Sequence, residues 1–137
     1  MDEKFHLAFK VKDIESTIKF YHTILGCEIG RQTKNWVDFD FLGHQLSAHV
    51  SNKIPQLDYC GKVVDLKVPI PHFGCIVDDI TFNKIKNSLE KHNIDFVFKP
   101  QKRYQNQEGA QQIMFILDYS NNPIEFKSFE NKDAVFK

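Results

Sequence analysis

The sequence holds six histidines and several isolated acids, and these carry most of the chemistry it offers. Neutral imidazoles and carboxylates are the side chains that hold first-row divalent ions. His6 and His72 each open a segment of one kind, a short apolar run with an aspartate seven residues on, Asp13 after His6 and Asp79 after His72. The two histidines therefore hold equivalent places in two halves of the chain. His49 closes the first half on a strand-like run. Its counterpart in the second half is the region of Glu125, a lone acid between Ile124 and Phe126. A charge on a half-buried strand needs a partner. Two histidines with one glutamate form a facial triad suited to Fe(II) or Mn(II), and His49 as a further donor makes a set that also accommodates Zn or Ni. His49 has a second possible role as a base, because imidazole titrates near neutral pH.

Other polar residues are candidates for binding a substrate. Asp38 and Asp40 alternate with Phe39 and Phe41 and so point to one face of a strand. Arg103 and Tyr104 lie in the polar stretch from Lys99 to Gln112, where an arginine can pair with a substrate carboxylate. His22 and His92 fall near the ends of the two expected helices and suit the negative end of a helix dipole. His44 sits in a Gly-His turn.

The elements that must position these residues repeat. Residues 5–11 are strand-prone, and Asp13 can cap a helix whose face is Ile14, Ile18, Tyr21 and Leu25, ended by Gly26. Strands are expected over 27–33, 36–42 and 45–51. In the second half a strand over 72–77 precedes a helix capped by Asp78 or Asp79, with Phe82, Ile85 and Leu89 on one face. Strands near 94–98, 112–117 and 123–129 complete it. This is an internal duplication of a βαβββ unit, about 1–51 and 72–137, joined by a linker of about 52–71 that Pro55, Pro69 and Pro71 keep extended. On strand four, Gln45, Ser47 and His49 share one face, and the apolar Leu46, Ala48 and Val50 face should pack on the helices.

Composition bounds the partners. At 137 residues the chain is the size of one domain and long enough to build a core without disulfides. Eighteen basic residues balance eighteen acidic ones, and only Arg31 and Arg103 are arginines. Such a chain has no general electrostatic footprint for nucleic acid or an anionic membrane. No apolar run approaches a membrane span, and the start carries no apolar signal core. Cys27, Cys60 and Cys75 have no CxxC spacing and read as reduced thiols of a cytoplasmic protein.

Three ordered stretches carry a family resemblance: His6-Leu-Ala-Phe with Asp13, Phe20-Tyr21 and Leu25-Gly26; Pro69-Ile-Pro-His72-Phe-Gly74; and Phe115-Ile-Leu-Asp118-Tyr-Ser-Asn-Asn-Pro-Ile-Glu125-Phe. Together they resemble the vicinal oxygen chelate superfamily, which includes glyoxalase I, extradiol dioxygenases, fosfomycin-resistance enzymes and bleomycin-binding proteins. The resemblance implies an α+β fold of two paired βαβββ modules, a cupped, mostly antiparallel sheet around a divalent metal, in a single domain over 1–137. It implies ligands on strands one, four, five and eight, which here carry His6, His49, His72 and Glu125. Bacterial-type glyoxalase I has Glu where His49 stands, whereas extradiol enzymes carry an acid–base His that His49 can match. The implied activity is metal-dependent, either extradiol-type ring cleavage or a lyase or isomerase step on a small substrate. The alternative is a non-catalytic binding or resistance protein. Single-copy members are commonly homodimers.

Overall fold

A computed structural model describes residues 2–54, 56–63 and 65–137. Pro55, one of the three linker prolines, lies outside the described residues. The chain forms two compact units. One runs to Leu57 and takes in Asp118–Asn122; the other is Asp58–Leu117 with Pro123–Lys137.

The first unit is a four-stranded sheet with a helix on one face. Its strands are β1 (His6–Val11), β2 (Glu28–Gln32), β3 (Trp36–Phe41) and β4 (His44–Val50), in the order β1-β4-β3-β2. The first and last strands pair in parallel and the rest antiparallel. Between β1 and β2 runs α1 (Ile14–Ile18), started where Asp13 accepts from the Ser16 backbone N–H at 2.7 Å.

The helix differs from the sequence expectation. It leaves α geometry after Ile18 and continues as a π-helical segment over Lys19–Ile24. There the Leu25 N–H reaches back five residues to the Phe20 carbonyl at 3.0 Å. Phe20, Tyr21 and Ile24 are buried along this segment. Gly26 ends the segment with φ +80°, in the left-handed region that favours glycine.

The core of this unit lies between the π-helical segment and the apolar sheet face. Tyr21 is its centre, with ring centroids 5.6 Å from Phe9, 5.1 Å from Phe20 and 5.2 Å from Phe39. Leu46 and Ala48 are buried, whereas Val50, at the strand end, is exposed. The Tyr21 hydroxyl donates to Asp118 Oδ2 at 2.7 Å. Asp118 is a turn organiser, also accepting from the Ser120 and Asn122 backbone N–H groups at 2.8 Å each. Burial outweighs these hydrogen bonds and holds the Asp118 carboxyl above the ordinary aspartate range.

The second unit repeats the plan. Its strands β7 (Phe73–Ile76), β8 (Phe96–Arg103), β9 (Gln111–Leu117) and β10 (Pro123–Phe129) lie in the order β7-β10-β9-β8, again with the first and last in parallel. Helix α2 (Asp79–Lys91) is capped by Asp78, which accepts from the Thr81 N–H at 2.8 Å, and buries Phe82, Ile85 and Leu89. The identical strand order in both units is the duplication read from the sequence.

Three boundaries differ from expectation. β8 runs on to Arg103, so the loop shortens to Tyr104–Ala110. The linker is extended but not plain: β5 (Gly61–Val63) and β6 (Leu66–Val68) pair antiparallel within it. The strands number ten among the described residues, against the eight expected. Among those residues no helix is long and apolar enough to cross a membrane.

Candidate functional site

The second unit brings two of the expected donors together. His72 enters β7 directly after the Pro69–Pro71 segment, and its Nδ1–H donates to the Pro69 carbonyl at 2.7 Å. That bond fixes the tautomer and leaves the Nε2 lone pair free. Nε2 lies 3.7 Å from Glu125 Oε1. Glu125 is only 7% exposed, held on β10 between the buried Ile124 and Phe126. Phe115, directly opposite Glu125 on β9, packs against the His72 ring in a T-shaped arrangement with centroids 4.9 Å apart. Lys127, two residues on and on the same face, puts Nζ 3.5 Å from Glu125 Oε1. Sequence reasoning missed this lysine, although its spacing from Glu125 was the signal.

The first unit treats His6 in the same way. Nδ1–H donates to Gln45 Oε1 at 2.8 Å, again leaving Nε2 unspent. Gln45 turns its amide nitrogen to Asp38 Oδ2 in a long contact of 3.5 Å, and Ser47 Oγ donates to Asp38 Oδ1 at 2.6 Å. Arg31 Nε stands 3.8 Å from Asp38 Oδ2. Asp38 is therefore a buried carboxylate, 6% exposed, placed behind His6 through one amide. Such an outer partner orients a ligating imidazole. Asp38, Gln45 and Arg31 line a cleft of about 330 Å³.

The register decides which residue of β4 meets His6. The partner of His6 is Gln45, and His49 is opposite Lys10 on β1 and Trp36 on β3. Four residues along a strand amount to about 13 Å. His49 is exposed, with its ring centroid 6.3 Å from that of Trp36. It lies on the polar sheet face with Gln45 and Ser47, away from the helix.

The other candidates separate. Asp40 is exposed and accepts from the Gly43 N–H at 2.7 Å, closing the β3–β4 turn. Arg103 is the last residue of β8, and the exposed Tyr104 begins the loop with φ +54°. His22 Nδ1–H donates to the Cys27 carbonyl at 2.7 Å and His92 Nδ1–H to the Ser88 carbonyl at 2.8 Å, both at helix ends.

Among the described residues, no three His, Cys, Asp or Glu side chains are gathered into a cation site. The donor chemistry nonetheless fits a divalent metal. His72 offers a free Nε2 beside a buried carboxylate, and His6 offers a second free Nε2. In each case Nδ1 is bonded to an oxygen, the arrangement common to metal-bound histidines.

No protein-family model matches the sequence. Solved structures do match. A glyoxalase/bleomycin resistance protein/dioxygenase from Alicyclobacillus acidocaldarius is 26% identical, with a TM-score of 0.82 over 98% of this chain and 97% of that one. The fosfomycin resistance protein FosX from Listeria monocytogenes is 14% identical, with a TM-score of 0.72 over 98% of each chain. A glyoxalase family protein from Enterococcus faecalis is 18% identical, with a TM-score of 0.67 over 92% of this chain and 97% of that one. The last two likenesses concern the fold alone. With the paired βαβββ units, these matches show that the chain has the fold of the glyoxalase/bleomycin resistance protein/dioxygenase proteins, the fold that the sequence resemblance implies.

Proposed function

We propose that this protein is a small metal-dependent enzyme of the vicinal-oxygen-chelate type, with His6, His72 and Glu125 as the residues that hold the metal. The observation that carries this reading is the His72–Glu125 pair, an imidazole Nε2 left free by the Pro69 carbonyl and set 3.7 Å from a buried carboxylate. The ligand types suit Fe, Mn, Zn or Ni. A bound divalent ion supplies Lewis acidity toward two adjacent oxygens of a small substrate, stabilising enolate or catecholate charge.

The chain's own residues do the rest. Asp38, through Gln45, orients the His6 ring. Phe115 packs against His72 and restricts its rotation. Gln45 stands beside His6 and His49 about 13 Å further along the same face, so we keep His49 as the base only for a substrate long enough to bring its acidic proton to that imidazole. Asp38 lines the cleft as a polar wall. The reaction classes that use these parts are extradiol-type ring cleavage and a lyase or isomerase step.

A second reading has one observation in its favour. Lys127 Nζ is 3.5 Å from Glu125 Oε1 and can neutralise that carboxylate without a metal, as suits a non-catalytic binding or resistance protein. Metal analysis of protein purified without added metal separates the two. Close to one equivalent per chain, lost in Glu125→Gln, supports the enzyme. Metal-free protein that takes up none on addition of Fe, Mn, Zn or Ni refutes it. We further propose a homodimer, in which pairing protects the sheet edges.

A further inference from the structure

Arg103 is one of only two arginines in the chain. Its Nε and Nη2 are shut off from solvent and have no hydrogen-bond partner among the described residues. A guanidinium stays protonated at any working pH, so these are charged donors without an acceptor. That arrangement is costly unless something else supplies the oxygens. Nε–H and Nη2–H leave the same edge of the guanidinium plane in parallel. That edge fits two oxygens of one carboxylate or phosphate group.

Two polar side chains of the neighbouring strand and adjoining loop are engaged elsewhere. Gln111, opposite Arg103 on β9, donates its side-chain amide to the Gly109 carbonyl at 3.2 Å. Glu108, the acid of the adjoining loop, has Oε1 3.6 Å from Lys137 Nζ. Arg31 is the contrast: its side chain is 82% exposed, stands beside Asp38 and lies over the Trp36 ring at 5.7 Å.

The sheet register places Arg103 on the same sheet face as the candidate metal ligand Glu125. Arg103 is opposite Gln111, and Glu125 is opposite Phe115. Gln111 and Phe115 are separated by an even number of residues on β9, so all four share one face. The offset is four residues, about 13 Å along the strand.

We infer that Arg103 is an anion subsite, whose Nε–Nη2 edge binds the carboxylate or phosphate group of a small-molecule ligand lying on the Glu125 face of the β7–β10 sheet. The subsite itself stands on Arg103 alone. That the same ligand offers adjacent oxygens at its other end rests on the metal reading above.

The presence of only two arginines makes the test direct, since the protein has two Nε–H resonances in a ¹H–¹⁵N spectrum. Arg103→Lys assigns them by deletion, and its thermal melt reports whether the fold is kept. Inorganic phosphate and then acetate are titrated at constant ionic strength. The Arg103 signal should shift saturably with at least one anion while the Arg31 signal stays in place, and the tighter anion identifies the head group. Anion affinity measured by calorimetry should fall roughly tenfold or more in Arg103→Lys, because the ammonium cannot form the two-point contact. If the Arg103 signal does not move, or moves in step with Arg31, the subsite is refuted. Repeating the titration on chelator-treated Glu125→Gln keeps the two readings apart: anion binding that persists there upholds the subsite even if the metal assignment fails. Its absence from a protein that still holds metal sinks the subsite alone.

Discussion

Gly74 and Glu125 face each other across the parallel β7–β10 pair, and the space that a Cβ on Gly74 would need is filled by the Glu125 backbone carbonyl. Backbone cannot move aside as a flexible side-chain tip can, so any side chain at position 74 must separate the two strands. Those strands set the distance between His72 and Glu125. Gly74→Ala is expected to destabilise the protein by roughly 3 kcal/mol, as overpacking against a fixed neighbour does. Thermal or urea melts check this. An unchanged midpoint would mean that β7 shifts freely.

His6 and His49 should differ in metal retention. His6→Ala removes a proposed ligand and should weaken metal binding by about one to two orders of magnitude. His49→Ala, about 13 Å further along the strand by its register, should keep the metal content of the parent protein. Elemental analysis after dialysis distinguishes them. Equal loss in both variants would contradict the base assignment for His49.

The three cysteines should react in a fixed order. Cys27 is buried, and burial pushes its thiol up to about 12, so little thiolate forms near pH 8. Burial also raises the thiol of Cys75, whereas Cys60 is exposed. Titration of native protein with an aromatic disulfide reagent should show Cys60 reacting first, Cys75 more slowly and Cys27 only on denaturation. Rapid modification of all three would be inconsistent with the buried Cys27.

Asp13 and Asp78 should set part of the acid limb of stability. Backbone hydrogen bonds from Ser16 and Thr81 hold the two carboxyls below the ordinary aspartate value of 3.8. A carboxyl lowered in the folded state contributes stability above its unfolded pKa and loses it as pH falls through the lower folded value. Both groups are at the surface, so each effect is modest and falls with salt. Asn keeps a capping oxygen without titrating. The double variant Asp13→Asn, Asp78→Asn should therefore lose less stability than the parent between pH 4 and pH 2 in melts. An identical acid limb would show that the caps play no part in it.

Oligomeric state is accessible by sedimentation. A dimer at micromolar concentration is expected. A monomer there would remove edge pairing as an account of how the sheets avoid aggregation.

The legible part of this protein was local or periodic. The His–Asp spacing at His6 and His72 showed the duplication because each half repeats the same short-range order. The alternation along β4 showed that Gln45, Ser47 and His49 share a face, since a strand's side chains alternate whatever it pairs with. Asp13, Gly26 and the Asp78–Asp79 pair marked helix ends through backbone needs that reach only a few residues, and the structure chose Asp78 of the pair.

Other features arose only in the tertiary structure. Which residue of β4 stands beside His6 depends on inter-strand register, and one face holds three candidates two residues apart; the β1–β4 pairing put Gln45 there. The π-helical turn at Lys19–Ile24 replaces the regular helix that the Ile14, Ile18, Tyr21 and Leu25 spacing predicts, and no local pattern states it. The tautomer of His72 depends on where the Pro69 carbonyl points. The unpartnered edge of Arg103 came from burial and from neighbours already engaged elsewhere. Residue type and period are properties of the chain taken alone, whereas register, tautomer and satisfaction depend on which other atoms the fold brings within hydrogen-bond reach.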